Sequence, residues 1–306
     1  KYGFDKPIVH QYFLYVNDLS PLSLHNTKTE DSFHFLYSGK YKYNTIVSFN
    51  NYSFIIKYPF LRDSFVKRGK SVSSIIKDTF PNTLVLALTS ISIALIIGII
   101  LGTISAINKN SWIDRLVLFF SVLGMSVPSF FSAIVFAWLF GFLLNNYTGL
   151  SMTGSLYEVD NYGRGEFINL KNLILPAFTL GIRPVSIIVQ LTRNSLLEVL
   201  KMDYMRTAIA KGLNNFVVLF KHGLRNALNP VVTATSGWFA SMLAGAVFIE
   251  YIFAWNGIGK EIVDALNNLD LPVVMGLVLF IATIFVVLNI FVDITYGILD
   301  PRIRIS

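Results

Sequence analysis

Residues 64–71, SFVKRGKS, are the stretch of this chain that comes nearest to a nucleotide-binding motif. A phosphate-binding loop needs a glycine five residues before its Gly-Lys-Ser, so that backbone amides can surround the phosphates. Ser64 occupies that position, and no apolar strand precedes it. The segment is therefore interpreted as a basic loop, and the sequence shows no means by which this chain would hydrolyse ATP itself.

Other catalytic chemistry finds equally little support in the residue types. The chain has no cysteine, which excludes disulfides, thiolate metal sites and cysteine nucleophiles. An integral-membrane enzyme would need His, Asp or Glu clustered at the membrane face, whereas the 4 histidines are scattered along the chain. We therefore expect no catalytic residue, no metal site and no cofactor.

A charged residue, Arg183, stands near the middle of a long apolar segment. A charge at that depth of a membrane is costly and usually faces a water-filled cavity or a partner. One interpretation places Arg183 and the helix-bending Pro128 on the path of a transported solute. The alternatives for Arg183 are an ion pair with an acidic neighbour or a polar contact at an interface. Glu250 and Asp293 lie nearer the ends of such segments, which favours helix capping or salt bridges for both.

The composition is that of a membrane protein. Of the 306 residues, 54% are hydrophobic and only 14% are charged, whereas soluble domains carry about a quarter of charged residues. A helix that crosses a bilayer needs about 20 apolar residues. Five segments meet that need, namely residues 82–107, 116–144, 173–191, 228–249 and 272–299. The predicted fold is an all-α integral membrane protein, with a transmembrane domain over residues 81–299.

The distribution of charge predicts how these segments are oriented. A formal net charge of +7 could indicate a nucleic-acid partner, but in membrane proteins basic residues usually mark topology. Lysine and arginine dominate the link after the first segment, the stretch 193–227 and the tail 300–306, whereas acidic residues dominate the alternate loops. The positive-inside rule puts the basic regions and the C-terminus in the cytoplasm. We expect a multi-pass membrane protein, in contact with lipid and not with nucleic acid.

This orientation places the mostly polar region 1–80 outside the cytoplasm. Such a region needs a span ahead of it in order to cross, so we expect a sixth membrane span before Lys1. Within the region, KYKYNTIVSFNNYSFIIKY alternates polar and apolar residues around Asn50 and Asn51, which predicts a β-hairpin at about residues 41–58. The hairpin is either part of a small extracytoplasmic α+β insertion or a decoration of a long loop.

Small residues at four-residue spacing are typical of helices that pack closely in lipid. Gly98 and Gly102 form one such pair, and Gly237, Ser241 and Gly245 form a longer stripe. The longer stripe either lines a contact with a partner chain or packs within this one.

A basic, helix-prone insert separates the third and fourth apolar segments. Residues 195–222 are mostly good helix formers, interrupted by Gly212 and by the pair Asn214 and Asn215, which predicts helix, turn, helix. Apolar residues recur at helical spacing, namely Leu196, Leu197, Val199, Leu200, Met205, Ile209 and Leu213. Short side chains at Thr207, Ala208 and Ala210, ringed by Arg206 and Lys211, would permit close approach of a partner surface. An amphipathic hairpin lying on the lipid headgroups is the alternative.

The insert resembles the cytoplasmic EAA loop of ATP-binding-cassette importer permeases. That loop reads Glu-Ala-Ala, three residues, Gly, nine residues and Ile-x-Leu-Pro, of which only Ala208, Gly212 and Leu224 match here. The departures at Arg206 and Arg225 are those of the dipeptide/oligopeptide/nickel branch, with RTAIAKGL and KHGLRNAL in this chain. Further similar stretches are LGMSVPSFF at 123–131, LILPAFTLGI at 173–182, LTRNSLLEVLKMDY at 191–204, GAVFIEYIFAWNGIGKEIVDAL at 245–266 and VDITYGILDPRIR at 292–304.

The resemblance to the first permease subunit of that branch covers nearly all of the chain except about residues 20–60, which look like an insertion. It implies the transmembrane fold of type I importers, a location in the bacterial inner (plasma) membrane and the import of short peptides. It also implies four partner chains of three kinds: a second, homologous permease, two cytoplasmic ATPase subunits and an extracytoplasmic solute-binding protein. The implied ATPase-coupling residues are Tyr204, Arg206, Thr207, Ala208, Lys211, Gly212 and Leu213.

Two alternatives stay open at this point. A stand-alone secondary transporter would show internal inverted repeats and more acidic groups at mid-membrane depth, and neither is evident in the sequence. A permease of the same kind could instead carry nickel chelates or another small solute, because specificity in such systems is largely set by the binding protein.

Overall fold

The computed structural model describes residues 7–27, 41–160 and 165–299, and most of these residues are helical. The helices are α1 (Ile8–Leu19), α2 (Val72–Ile107), α3 (Trp112–Ser126), α4 (Ser129–Phe136), α5 (Asn145–Thr148), α6 (Lys171–Val199), α7 (Asp203–Ala210), α8 (Asn215–Val217), α9 (Arg225–Ala227), α10 (Asn229–Gly245), α11 (Val247–Ile252), α12 (Ile258–Asn267) and α13 (Leu271–Leu299). The strands are β1 (Leu22–Asn26), β2 (Tyr43–Phe49), β3 (Tyr52–Lys57), β4 (Tyr157–Val159) and β5 (Glu166–Ile168). Two π-helical segments, Ala137–Leu143 and Val218–Leu224, continue α4 and α8.

The chain forms two compact units. The first comprises the residues up to Lys77 together with Ala265–Leu277, and the second comprises Asp78–Asp264 together with the residues from Val278 onward. The tail 300–306 and part of the 20–60 insertion lie outside the described residues.

The first unit contains a three-stranded antiparallel sheet in the order β1-β3-β2. Strands β2 and β3 pair on either side of Asn50 and Asn51, within the stretch where the sequence predicts a hairpin. Asn50 has a φ of 52°, a left-handed conformation that asparagine adopts more readily than most residues. Strand β3 alternates buried and exposed side chains, with Ser53, Ile55 and Lys57 buried.

Polar contacts hold this unit together beside its small apolar core. Arg62 donates from Nε to Oδ2 of the buried Asp18 at 2.9 Å, and the guanidinium lies over the ring of Tyr15. Lys57 donates from Nζ to the carbonyl of Asn17 at 2.7 Å. Because most of these groups are buried, each needs its partner in order to offset the loss of water.

The basic loop at residues 64–71 folds around a carboxylate of its own chain. Asp270 accepts hydrogen bonds from the Ser64 hydroxyl and from the backbone N–H groups of Phe65 and Val66, the latter two at 3.1 and 3.3 Å. The loop that resembles a phosphate-binding motif in sequence therefore binds a carboxylate of the same chain. This contact joins the start of α2 to the residues that precede α13.

Within the part of the chain that the structure describes, three helices are long and apolar enough to cross a bilayer, namely Val72–Ile107, Lys171–Val199 and Leu271–Ile294. A fourth crossing is possible if α3 and the segment Ser129–Leu143 count as one, although they meet at an angle of 106°. Pro128 lies at that bend, where a proline disfavours the helical conformation of the residue before it; Val127 accordingly has a ψ of 130°. The predicted fourth segment, 228–249, is helical as α10 and the start of α11.

Helices α2 and α6 pack closely in the second unit through small residues. A Cβ added to Gly98 would lie 2.5 Å from Cγ2 of Ile188, and one added to Gly102 would lie 2.7 Å from Cβ of Thr192. The pair of glycines predicted to suit close packing therefore serves a contact within this chain. Gly237 is different, since an added Cβ would meet no atom within 4 Å.

A buried acid fixes the start of α12. Glu250 is fully buried, and its Oε2 accepts from the backbone N–H of Gly259 at 2.6 Å. A Cβ on Gly257 would lie 2.4 Å from this carboxylate, so the close approach requires glycine there. Trp255 donates from Nε1 to the carbonyl of Asn82 on α2 at 3.0 Å. Glu250 therefore has the capping role that its position in the sequence favours.

Candidate functional site

The candidate site is α7, a short helix with its own start and end. It closes in the hydrogen-bond pattern of a Schellman motif, in which the N–H of Leu213 donates to Ala208 at 3.4 Å and the N–H of Gly212 donates to Ile209 at 2.9 Å. Gly212 has a φ of 74°, a conformation that glycine adopts without steric cost. The next helix begins at once, because the side chain of Asn214 caps it by accepting from the N–H of Phe216 at 2.9 Å.

At the start of the insert, the structure has two helices where the sequence pattern predicts one. The sequence pattern runs as one helix from residue 195 to Gly212, whereas α6 ends at Val199 and α7 begins only at Asp203. Residues 200–202 form a turn between them. As a result α7 is a separate element of eight residues and not the last turns of a long membrane helix.

The inner face of α7 packs against its own chain. Met205 is 1% exposed and Ala208 is 7% exposed, and both contact Val218 in a cluster that also includes Val199 and Leu200. The sequence interpretation placed Ala208 on the surface that a partner approaches, whereas the structure packs it against its own chain. Its small side chain lets α7 lie close to the π-helical segment that leads towards α10.

A polar contact reinforces this inner face. Asn226, on α9, donates from Nδ2 to the hydroxyl of Tyr204 at 3.2 Å. Tyr204 is nevertheless 43% exposed, so its ring contributes to the outer surface as well. The helix is thus attached both to the end of α6 and to the segment that enters α10.

The outer face of α7 combines two cations with apolar side chains. Arg206, Thr207 and Lys211 are exposed, and so are Ile209 and Leu213. Arg206 lies 3.6 Å from Asp203 and both side chains are exposed; such pairs contribute about 0–1 kcal/mol, so the guanidinium can exchange this acid for another. The Thr207 hydroxyl donates to the carbonyl of Asp203 at 3.0 Å within the helix.

Arg183 and Pro128, the two residues assigned to a solute path, lie on neighbouring elements away from α7. The side chain of Arg183 is exposed on α6, and within the described ranges it has no hydrogen bond or ion pair. Pro128 is exposed at the bend before α4. Helices α3 and α6 meet nearby at Gly124, where an added Cβ would lie 2.7 Å from the Ser186 hydroxyl.

Sequence reasoning missed an ion pair at the end of α6 that faces the start of α3. Arg193 donates from Nε to Oδ1 of Asp114 at 2.7 Å and from Nη2 to Oδ2 at 2.8 Å. The only local signal was Ser111 three residues before Asp114, the spacing of a capping box ahead of an apolar run. No local feature of the sequence identifies Arg193 as the partner of Asp114.

Among residues 7–27, 41–160 and 165–299, no three His, Asp or Glu side chains lie close enough to hold a metal ion. The outer face of α7 offers recognition by surface contact, through apolar side chains bordered by positive charge.

Comparison with known proteins gives a consistent result. Residues 98–305 match the family described as binding-protein-dependent transport system inner membrane component. The dipeptide transport system permease protein DppB of Alkalihalophilus pseudofirmus is 41% identical over 235 residues, which are 72% of this chain and 71% of that protein. DppB of Haemophilus influenzae is 44% identical over 237 residues, 74% of this chain and 71% of the relative. The oligopeptide transport system permease protein AppB of Bacillus subtilis is 40% identical over 241 residues, 79% and 75% of the two chains.

Solved structures show the same fold at much lower identity. A chain of the MetNI methionine ABC transporter in an inward-facing conformation aligns with a TM-score of 0.59 and 14% identity, covering 74% of this chain and 96% of that one. A chain of an amino acid ABC transporter crystallised with histidines aligns with a TM-score of 0.50 and 13% identity, covering 76% and 95%. The predicted transmembrane fold of type I importers is thereby confirmed.

Proposed function

The chain belongs to the family of binding-protein-dependent transport system inner membrane components, and we propose that the solute it carries is a short peptide. Membership makes it a multi-pass inner-membrane subunit that works with an ATPase and a solute-binding protein. Three relatives at 40–44% identity are named as permeases of dipeptide or oligopeptide transport systems. Their similarity extends over most of the chain, which supports the same class of solute here.

The partners follow the same proposal. A second, homologous permease would complete the membrane pathway, and two ATPase subunits would bind beneath the pair. The charge distribution supports placing α7, the basic stretch 193–227 and the C-terminus in the cytoplasm. The acidic loops and the region 1–80 would then face outward, where the binding protein delivers its peptide.

Helix α7 is the coupling helix in this proposal, and its two-faced construction is the observation that carries it. Met205 and Ala208 attach the helix to the membrane-embedded part of the chain, while Ile209 and Leu213 remain exposed to a partner. A helix attached on one side and open on the other can transmit displacement from a bound protein to the spans that follow it.

The mechanism is a rigid-body switch. ATP binding closes the two ATPase subunits, and a coupling helix seated in each is carried along. The spans attached to the two helices then change from an inward-facing to an outward-facing arrangement, and hydrolysis allows their return. The direction of such a switch is set by the different affinities of each state for nucleotide and for the loaded binding protein.

The exposed face of α7 indicates the chemistry of the groove that receives it. Ile209 and Leu213 require an apolar floor, and Arg206 and Lys211 on either side require acidic side chains at the rim. Rim charges contribute mainly to the rate and specificity of association, so the apolar pair would carry most of the affinity.

Co-purification tests this assignment. The ATPase subunits are expected to remain bound to the wild-type permease in detergent, and to be lost from Ile209→Asp, because a buried unpaired carboxylate is costly. The double change Arg206→Glu and Lys211→Glu is expected to weaken binding most at low salt. Lys109→Glu with Arg115→Glu, an equal charge change at two exposed positions in the link before α3 and in its first turn, serves as the control. Equal loss in the control and the α7 variants would contradict the assignment.

The solute is tested separately by uptake into proteoliposomes that contain the complete transporter and its binding protein. Labelled dipeptides and tripeptides are expected to accumulate in an ATP-dependent manner, and a nickel chelate is not. ATP-dependent accumulation of the chelate alone would replace the peptide proposal without affecting the role of α7.

A further inference from the structure

The carboxylate of Asp114 accepts hydrogen bonds from three segments of the second unit. Its Oδ1 accepts from the Ser105 hydroxyl on α2 at 2.5 Å and from Nε of Arg193 on α6 at 2.7 Å. Its Oδ2 accepts from the N–H of Asn110 at 2.9 Å and from Nη2 of Arg193 at 2.8 Å. Asp114 itself lies in the first turn of α3 and is only 2% exposed. Each carboxylate oxygen therefore has two donors.

The geometry of this ion pair resists sliding. A bidentate contact between a guanidinium and a carboxylate fixes both distance and orientation, because its two hydrogen bonds are parallel. Contacts between α3 and α6 also include the close approach of Gly124 to Ser186 and a contact at 3.5 Å from Nε2 of Gln190 to Sδ of Met125. Neither has the two parallel hydrogen bonds that fix an orientation. Asp114 and Arg193 thus fix the position and orientation of the start of α3 relative to α6.

The ion pair also lies close to α7 along the chain. Arg193 is within two turns of Val199, the last residue of α6. Val199 and Leu200 pack against the cluster formed by Met205 and Ala208 of α7. A displacement of α7 therefore reaches Arg193 through packed side chains and the last turns of α6.

The connection also extends from α6 to α2. Gly98 and Gly102 allow α2 to pack against Ile188 and Thr192 of α6 without intervening side chains. Ser105, one turn further along α2, then meets the same carboxylate of Asp114. The three helices are consequently joined at one end by a single polar cluster.

We propose that the ion pair between Arg193 and Asp114 is the positioning element that transmits displacement of α7 to α2 and α3. The pair acts through the helices it joins and contacts neither solute nor nucleotide. Losing it would leave the permease inserted and bound to its ATPase, but movement of α7 would no longer be followed by α3. The proposal rests on the coupling function proposed above for α7.

The measurement is the amount of peptide imported per ATP hydrolysed by the reconstituted transporter. Asp114→Asn and Arg193→Gln are expected to lower this ratio at least tenfold while ATP hydrolysis and ATPase co-purification persist. Arg193→Lys, which keeps the charge and loses the bidentate geometry, should fall in between. Lys260→Ala, which removes the partly exposed pair with Asp264, is the control and should leave the ratio unchanged.

A second variant separates coupling from folding. Replacement of both partners by apolar side chains of similar size, as in Asp114→Leu with Arg193→Met, avoids an unpaired buried charge and often preserves stability. It is expected to give a chain of wild-type abundance that binds the ATPase yet imports little peptide per ATP.

A wild-type ratio in the stable double variant would overturn the proposal, and so would a fall in import that merely follows a fall in ATP hydrolysis. The failure of the underlying function would look different, since the ATPase would then not co-purify with the wild-type permease at all.

Discussion

At the scale of single residues, Gly212 is the position where conformation and function can be separated. Its φ is 74°, and an added Cβ would meet no atom within 4 Å. A side chain there costs about 1–2 kcal/mol of backbone strain and causes no clash. Gly212→Asp also brings a negative charge next to Lys211 on the surface proposed to meet the ATPase. We expect uptake to be abolished while immunoblots of washed membranes show the normal amount of chain.

Gly69 provides the matched control. It has a φ of 77° and an added Cβ there also meets nothing within 4 Å, so Gly69→Asp imposes similar strain in the loop before α2. Uptake by this variant should stay near that of the wild type. Equal loss in both variants would show that strain alone is responsible, and would contradict the role assigned to Gly212.

Arg183 is the residue whose proposed role depends on the solute. Its exposed guanidinium can meet the C-terminal carboxylate of a peptide, a charged hydrogen bond that contributes about 1.5–3 kcal/mol. Arg183→Gln should therefore slow import of a tripeptide with a free C-terminus by about tenfold or more. Import of the same tripeptide with an amidated C-terminus should change little. An equal slowing of both peptides would assign Arg183 to structure and not to the solute path.

At the scale of elements, the packing of α2 on α6 makes a clear prediction about stability. The Cβ of a Leu at Gly98 would lie 2.5 Å from Cγ2 of Ile188, whereas the Cβ of a Leu at Gly237 would have no atom within 4 Å. Overpacking typically costs about 1–3 kcal/mol. Thermal unfolding of the purified subunit in detergent should shift downward for Gly98→Leu and not for Gly237→Leu. Similar melting temperatures for the two variants would contradict the contact between α2 and α6.

The elements also show what could be predicted from sequence and what could not. The turn after α7 was predictable, because Gly212 and the two asparagines that follow favour a chain break locally. The turn at residues 200–202 was not, since Leu200, Lys201 and Met202 are all good helix formers. Packing of Met205 against Val199 and Leu200 outweighs their propensity, and that contact exists only in the folded chain.

The same limit explains why the polar connections were missed. Asp114 and Arg193 are separated by most of two apolar segments, and Asp270 lies far along the chain from the basic loop it fills. Residue type alone places Asp114 and Asp270 only as charges in loops, because pairing over such distances in the sequence is decided by tertiary structure. By contrast, three of the five predicted apolar segments correspond to helices of the described chain that are long and apolar enough to span a bilayer, because composition alone decides whether a helix suits lipid.

At the scale of the whole molecule, α6 is the most enclosed of the helices long enough to span a bilayer. It buries 67% of its apolar window, compared with 33% for Val72–Ile107 and 22% for Leu271–Ile294. The same helix carries Arg183 and Arg193 and ends next to α7. In the proposed mechanism it is therefore the element that connects the ATPase contact with the solute path, while the more exposed helices face lipid or a partner permease.

The central claim is that α7 lies in the cytoplasm and contacts an ATPase. The chain has no cysteine, so a single Thr207→Cys on the exposed face of α7 can carry a photo-activated cross-linker without other changes. In membrane vesicles that retain the assembled transporter, this position should cross-link to the ATPase subunit, and a cysteine at Lys109 should do so much less. Labelling of Thr207→Cys by an impermeant reagent from outside intact cells, with no cross-link to the ATPase, would contradict the account.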